Sequence, residues 1–151
     1  MLSPGDAAPD FELRDETGKK RRLAEFKGSK LLLVFYPGDF SPVCNDQLAV
    51  YQEVLPELES AGVQMVGVSV DSGYSHAAFK EKLGLGFPLL SDFHPKGAVS
   101  KAYEAFFEPG DFSNRSLVLI DEEGTVAWAY EAENPGELPG ANLIFDALAK
   151  V

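Results

Sequence analysis

Short, almost continuous apolar runs alternate along the chain with longer stretches in which apolar residues recur every three or four positions. The first pattern predicts strands buried on both faces and the second predicts amphipathic helices. Near the N-terminus, Phe11 to Arg14 and Arg21 to Leu23 flank a turn at Thr17–Gly18 and predict a small hairpin. Lys30 to Tyr36, KLLLVFY, predicts a buried strand that Pro37 and Gly38 stop. A helix is expected from about Pro42 to Ala61, because Leu48, Tyr51, Leu55 and Leu58 share one face. Pro56 lies inside that pattern; it lacks an N–H and clashes with the preceding turn, so the helix should kink or restart there. Gly62 stands where a helix end favours a left-handed residue.

Val63 to Val70 reads as the next buried strand, and strand, helix, strand in that order implies a right-handed crossover and a parallel pair. A second helix over Tyr74 to Leu83, a short strand at Pro88 to Leu90 and a third helix opened by Pro95 and reaching Tyr103 follow. Arg115 to Asp121 and Thr125 to Glu131 are strands joined by Asp-Glu-Glu-Gly, a hairpin connection. The last helix, Gly140 to Lys150, carries Leu143, Ile144, Ala147, Leu148 and Val151 on one stripe. The alternation predicts an α/β fold with a central mixed β-sheet, flanking helices and an N-terminal β-hairpin, a description that fits several α/β architectures. With no repeat or linker and 151 residues, a single domain over residues 1–151 is expected.

Charge narrows the function. The formal net charge is −11, and such a surface repels phosphate backbones, so no nucleic-acid partner is expected. Lys19, Lys20, Arg21 and Arg22 form the only basic cluster and read as a solvated strand face. No apolar run approaches about 18 residues, so no membrane association is expected. The opening MLSPGDAAPDF lacks the basic start and apolar centre of a secretion signal, and a lone cysteine builds no internal disulfide. Together these features predict a cytoplasmic location.

Chemistry concentrates in Pro37-Gly38-Asp39-Phe40-Ser41-Pro42-Val43-Cys44, where a buried strand hands over to a helix. Ser41 suits the N-cap and Pro42 the first helical position, which places Cys44 third, inside the first turn. Backbone N–H groups without helical partners and the positive end of the helix dipole favour a thiolate there. Spacing alone leaves a reactive and a structural cysteine equally open. Position 47 is glutamine, so there is no C-x-x-C pair for disulfide exchange. His76 and His94 do not make a convincing zinc site with one cysteine, and His94 reads as a surface or loop residue.

FYPGDFSPVC resembles the peroxiredoxin signature P-x-x-x-(S/T)-x-x-C, with Pro37, Ser41 and Cys44 on its named positions. The resemblance runs from GDAAPDFEL to the final helix and includes VGVSVDS at Val66 to Ser72 and NRSLVLIDEEG at Asn114 to Gly124. SDFHPKGAVSKAY, Ser91 to Tyr103, is similar to the one-cysteine, AhpE-like branch, related to bacterioferritin comigratory proteins. The resemblance implies a thioredoxin-like fold and a thiol peroxidase that reduces hydrogen peroxide and organic hydroperoxides through Cys44, with a sulfenic acid intermediate. It implies no cofactor and no metal. Lacking a second cysteine, the enzyme would need an external thiol, from a thioredoxin- or glutaredoxin-like protein or a low-molecular-weight thiol. A homodimer is implied as well.

The family's arginine maps onto Arg115, which the residue pattern by itself would assign to a strand-end salt bridge. In the implied site Ser41 orients the peroxide, Arg115 stabilises charge and Pro37 shields the sulfur from water. The chain departs from the family by Ser41 in place of the usual threonine, and by Asn45 and Gln47 where many members have threonine and glutamate. Ala49 stands where some members carry an internal resolving cysteine. Phe40, Phe106, Phe107 and Phe112 are candidates for an apolar rim or a dimer contact, with ordinary core packing the alternative. Two rival functions share the fold: one-thiol exchange on protein substrates, and a redox-sensing binding module.

Overall fold

Antiparallel strands β1 (Glu12–Arg14) and β2 (Lys20–Arg22) open the computed structural model, which describes residues 1–151. Asp15, buried in their turn, accepts hydrogen bonds from Thr17 N at 2.8 Å, Thr17 Oγ1 at 2.6 Å and Lys19 N at 3.2 Å. Arg21 Nη1 reaches its other oxygen at 3.2 Å, while Arg21 Nε holds Glu25 at 3.0 Å. Lys20 and Arg22 pair with Glu12 across the strands. Lys20 and Arg22 are therefore solvated on β2, as expected, and both, with Arg21, are paired with carboxylates.

Next come β3 (Lys30–Phe35), α1 (Pro42–Ser60), β4 (Val63–Ser69), α2 (Gly73–Leu83) and β5 (Leu89–Ser91). A short α3 (Ala98–Ala102) leads to a two-stranded ribbon, β6 (Phe106–Phe107) with β7 (Phe112–Ser113). β8 (Ser116–Ile120), β9 (Val126–Glu131) and α4 (Ala141–Leu148) complete the chain. The main sheet has the order β2-β1-β5-β4-β3-β8-β9. β3, β4 and β5 run parallel, and β8 pairs antiparallel with β3, giving the expected mixed sheet.

Alternation along the central strands divides the core. Leu32, Val34, Tyr36, Leu117 and Leu119 join Leu48, Tyr51 and Leu58 of α1 and Ile144 of α4 on one face. Leu31, Leu33, Phe35, Val118 and Ile120 pack with Phe11, Leu23, Phe26 and Tyr103 on the other. Each such side chain, removed from water, contributes roughly 1.5–3 kcal/mol. No helix is long and apolar enough to cross a membrane.

Two expectations need correction, and the β6–β7 ribbon was not expected. The first helix passes through Pro56 without a break from Pro42 to Ser60; the proline forfeits one rung of the ladder, but the buried Leu55 and Leu58 on either side hold the helix to the sheet. The third helix starts at Ala98, not Pro95, because Gly97 lies at φ 73°, outside helical space. Asp92, from the loop ahead, accepts from Val99 N at 3.0 Å and Ser100 N at 2.8 Å, satisfying donors at that helix start. The β6–β7 ribbon has strands too short to leave a period.

Burial works against ionisation of Asp15, but the hydrogen bonds from Thr17, Arg21 and Lys19 outweigh it and hold its carboxyl below the ordinary 3.8. A depressed folded-state value means stability present above 3.8 and lost as the pH falls through that lower value. Asp15→Asn is expected to lower Tm at pH 7, with the gap to the wild type closing below pH 3.8. Thermal melts across this range check it; a gap that stays constant in acid refutes it.

Candidate active site

β3 ends at Phe35, and Pro37 to Phe40 form the loop that carries the chain into α1. Phe40 stands at φ 67°, a left-handed conformation that costs a bulky residue about 1–3 kcal/mol. Ser41 is extended and caps α1, its Oγ accepting from Cys44 N at 3.3 Å; Pro42 takes the first helical position. The sulfur-bearing residue therefore sits in the first turn, as its spacing predicts. Cys44 is free, has no exposed surface and packs in the cluster that contains Tyr36, Leu48 and Tyr51. Its burial means that the sulfur presents no open surface in this conformation. Pro37 is half-buried at the start of the loop.

Register brings Arg115 to the same place. Phe35 pairs with Ser116 across antiparallel β3 and β8, so the next step outward sets Tyr36 opposite Arg115. Side chains alternate along the strand, and Arg115 therefore shares a face with Leu117, Leu119 and Cys44. Arg115 Nη1 donates to Gln47 Oε1 at 2.7 Å, and Nε donates to the Pro135 carbonyl at 2.5 Å. Gln47 lies three residues after Cys44, so the two are neighbours on one wall of α1. Gln47 Nε2 donates to Tyr51 Oη at 3.2 Å, and Tyr51 donates to the Pro139 carbonyl at 2.6 Å. Burial pushes the Tyr51 phenol up to about 12, with the Gln47 hydrogen bond and the Arg115 charge pulling the other way. It stays a neutral donor at physiological pH.

Arg115 is 2% exposed and no carboxylate pairs with it. The strand-end salt bridge that its sequence position favours is absent, and the acceptors it meets are neutral oxygens. Loop residues 134–140 close the site through the Pro135 and Pro139 carbonyls. Sequence offered no signal for that wall, since backbone oxygens carry no residue identity.

A second polar cluster, also missed by sequence reading, lies behind the loop. Asp39 Oδ2 faces His76 Nδ1 at 2.8 Å and accepts from Ser75 Oγ at 2.8 Å; Asp39 Oδ1 accepts from Tyr36 Oη at 2.7 Å. Asp71 Oδ2 accepts from Asp39 N at 2.8 Å and Ser69 Oγ at 2.6 Å. Asp39, Asp71 and His76 hold candidate ligand atoms within 4.8 Å of one another, but the hydrogen bonds just described engage those atoms. Burial first, then the neighbouring Asp39 charge, raises the Tyr36 phenol well above its ordinary value. His94 is exposed in a loop, as expected. The four candidate phenylalanines separate: Phe40 meets Phe79 of α2 edge-on at 5.1 Å, whereas Phe107 stacks on Phe112 at 5.7 Å within the ribbon. Phe106 lies beneath Lys101.

Known proteins share this arrangement of chain. Residues 4–129 match the model of the AhpC/TSA family. Alkyl hydroperoxide reductase E of Mycobacterium tuberculosis is 39% identical over 150 residues, covering 99% of this chain and 97% of the relative. Among solved structures, the peroxidoxin BcpB of M. tuberculosis superposes with a TM-score of 0.86 at 26% identity, covering 100% of this chain and 99% of the other. Peroxiredoxin Q of Xanthomonas campestris gives a TM-score of 0.82 at 31% identity, over 93% of this chain and 90% of the other. The fold is the thioredoxin-like one expected, and with one cysteine in the helix turn that follows β3, the chain belongs to the AhpC/TSA family of peroxiredoxins.

Proposed function

We propose that this chain is a one-cysteine thiol peroxidase in which Cys44 attacks hydroperoxides and an external thiol restores it. The observation that carries this reading is buried Arg115, with neutral oxygens as its acceptors, bonded to Gln47 one turn along α1 from a buried cysteine. A buried charge is costly unless countered, and a thiolate at the helix N-terminus is the available anion. The Cys44 thiolate attacks the terminal oxygen in line with the O–O bond. The S–O bond forms, the O–O bond breaks, and the departing alkoxide takes a proton to leave as an alcohol, or as water from hydrogen peroxide. Cys44 becomes a sulfenic acid. Ser41 orients the peroxide through its hydroxyl, Arg115 and N–H groups of the first turn stabilise charge on the leaving oxygen, and Pro37 covers the sulfur.

The apolar surroundings of Cys44 suit an alkyl hydroperoxide, the substrate class named for the mycobacterial relative. A low-molecular-weight thiol, or a thioredoxin- or glutaredoxin-like protein, condenses with the sulfenic acid to a mixed disulfide and water; a second thiol then releases Cys44. The same reading includes a single catalytic domain over 1–151, a cytoplasmic location and a homodimer.

Cys44→Ser is expected to abolish peroxide consumption with any thiol donor; turnover at the wild-type rate in that variant ends the proposal. Gln47→Leu removes an acceptor from a buried cation. It should cost about 1.5–3 kcal/mol of stability and slow Cys44 oxidation roughly 10–100-fold, read by denaturant titration and stopped flow. Excess peroxide without thiol should add two oxygen atoms to Cys44, whereas a thiol present from the start should leave a mixed disulfide or the free cysteine. Intact-mass spectrometry separates these products.

A further inference from the structure

We propose that the buried Asp39–His76 pair is the positioning element that locks the peroxide-binding loop in its strained conformation. Asp39 immediately precedes Phe40, the residue held at φ 67°. Its side chain is 1% exposed and His76 is fully buried. His76 Nε2 lies 3.0 Å from the Leu90 carbonyl, which only accepts, so Nε2 carries a proton. Nδ1 lies 2.8 Å from Asp39 Oδ2, so one further proton lies between imidazole and carboxyl. The polar groups facing the pair are Tyr36 at the end of β3, Ser75 of α2 and Asp71 in the β4–α2 connection, itself bound by Ser69. Tyr36 Oη also stands 3.4 Å from His76 Nδ1.

A single loop residue is thus fastened to β3, α2 and the end of β4, and through His76 to β5. Side chain and backbone are both held, since Asp39 N donates to Asp71. Left-handed geometry at a phenylalanine persists only where neighbours over-determine it, and this cluster supplies the determination. The consequence reaches the chemistry through Ser41. Two residues after Asp39, its Oγ caps Cys44 N at 3.3 Å, and relaxation at residues 39–40 moves that hydroxyl relative to the sulfur. Neither Asp39 nor His76 bonds to Cys44, so they act by placing Pro37 and Ser41. The inference rests on the peroxidase reading above.

The test compares two reactions of Cys44: oxidation by tert-butyl hydroperoxide, which needs the ordered loop, and alkylation by iodoacetamide, which needs only a reactive, accessible sulfur. Asp39→Asn and His76→Leu should lower the ratio of the two rate constants about 10–100-fold. His76→Asn, which returns a donor near Nδ1, should recover part of it. Ser75→Ala, a milder loss of one donor to Asp39, should lower the ratio about 3–10-fold, and serves if the stronger variants do not fold. Leu58→Ala, a core truncation in α1, supplies the control for general destabilisation. A ratio within threefold of wild type in folded Asp39 and His76 variants overturns the proposal, as does an equal fall in Leu58→Ala. In the wild type, nitrogen-15 spectra should show His76 Nε2 protonated and Nδ1 engaged in a hydrogen bond; an Nδ1 with no hydrogen-bond partner also overturns it. If wild-type Cys44 fails to react with the hydroperoxide, the peroxidase reading fails first and this inference with it; a reactive wild type with indifferent variants defeats this inference alone.

Discussion

Arg115 carries a full positive charge into a region closed to water, and the oxygens that receive it are neutral. A cation so placed is expensive unless an anion shares the site, and no carboxylate does. The constraint organises its surroundings. Gln47 and Tyr51 turn along α1 to hand the hydrogen bonds onward, and the 134–140 loop folds over so that two carbonyls can accept. Glutamine at position 47 gives the guanidinium an acceptor without cancelling its charge. Relative to the glutamate of many family members, the positive potential left for a thiolate or a developing oxyanion is larger, and the hydrogen bond holding the guanidinium is weaker.

A second polar network stands on the other flank of the loop. Asp39 and His76, with Tyr36, Ser75, Asp71 and Ser69, hold the backbone in a shape that phenylalanine at position 40 does not favour. Tyr36 bridges the two regions: its hydroxyl serves Asp39, while β-sheet register sets it opposite Arg115. Cys44 thus lies in α1 between Ser41, which follows this loop, and Gln47, which holds Arg115. Complete burial of Cys44 in this arrangement keeps the sulfur from contact with bulk solvent.

Much of this was legible in the chain. The apolar run Lys30 to Tyr36, the stop at Pro37, and the order Ser41, Pro42, Cys44 are local signals, and each survives in the fold at its expected place. The family resemblance located Arg115, although the residue's own context pointed to a salt bridge. What sequence reading missed depends on partners far along the chain. His76 had no assigned role until Asp39, 37 positions away, came to face it. Pro135 and Pro139 act through carbonyl oxygens that every residue possesses. The phenylalanines shared only a residue type, and the fold sends Phe40 to α2 and the others to a ribbon.

The sequence by itself determined the strands of the main sheet, the first helix and the position of Cys44 within its opening turn, because periodicity, capping and proline act over a few residues. Tertiary structure alone decided which charges meet, how deeply the sulfur is buried and what holds the loop, because those outcomes depend on strand register and on contacts between segments separated by tens of residues.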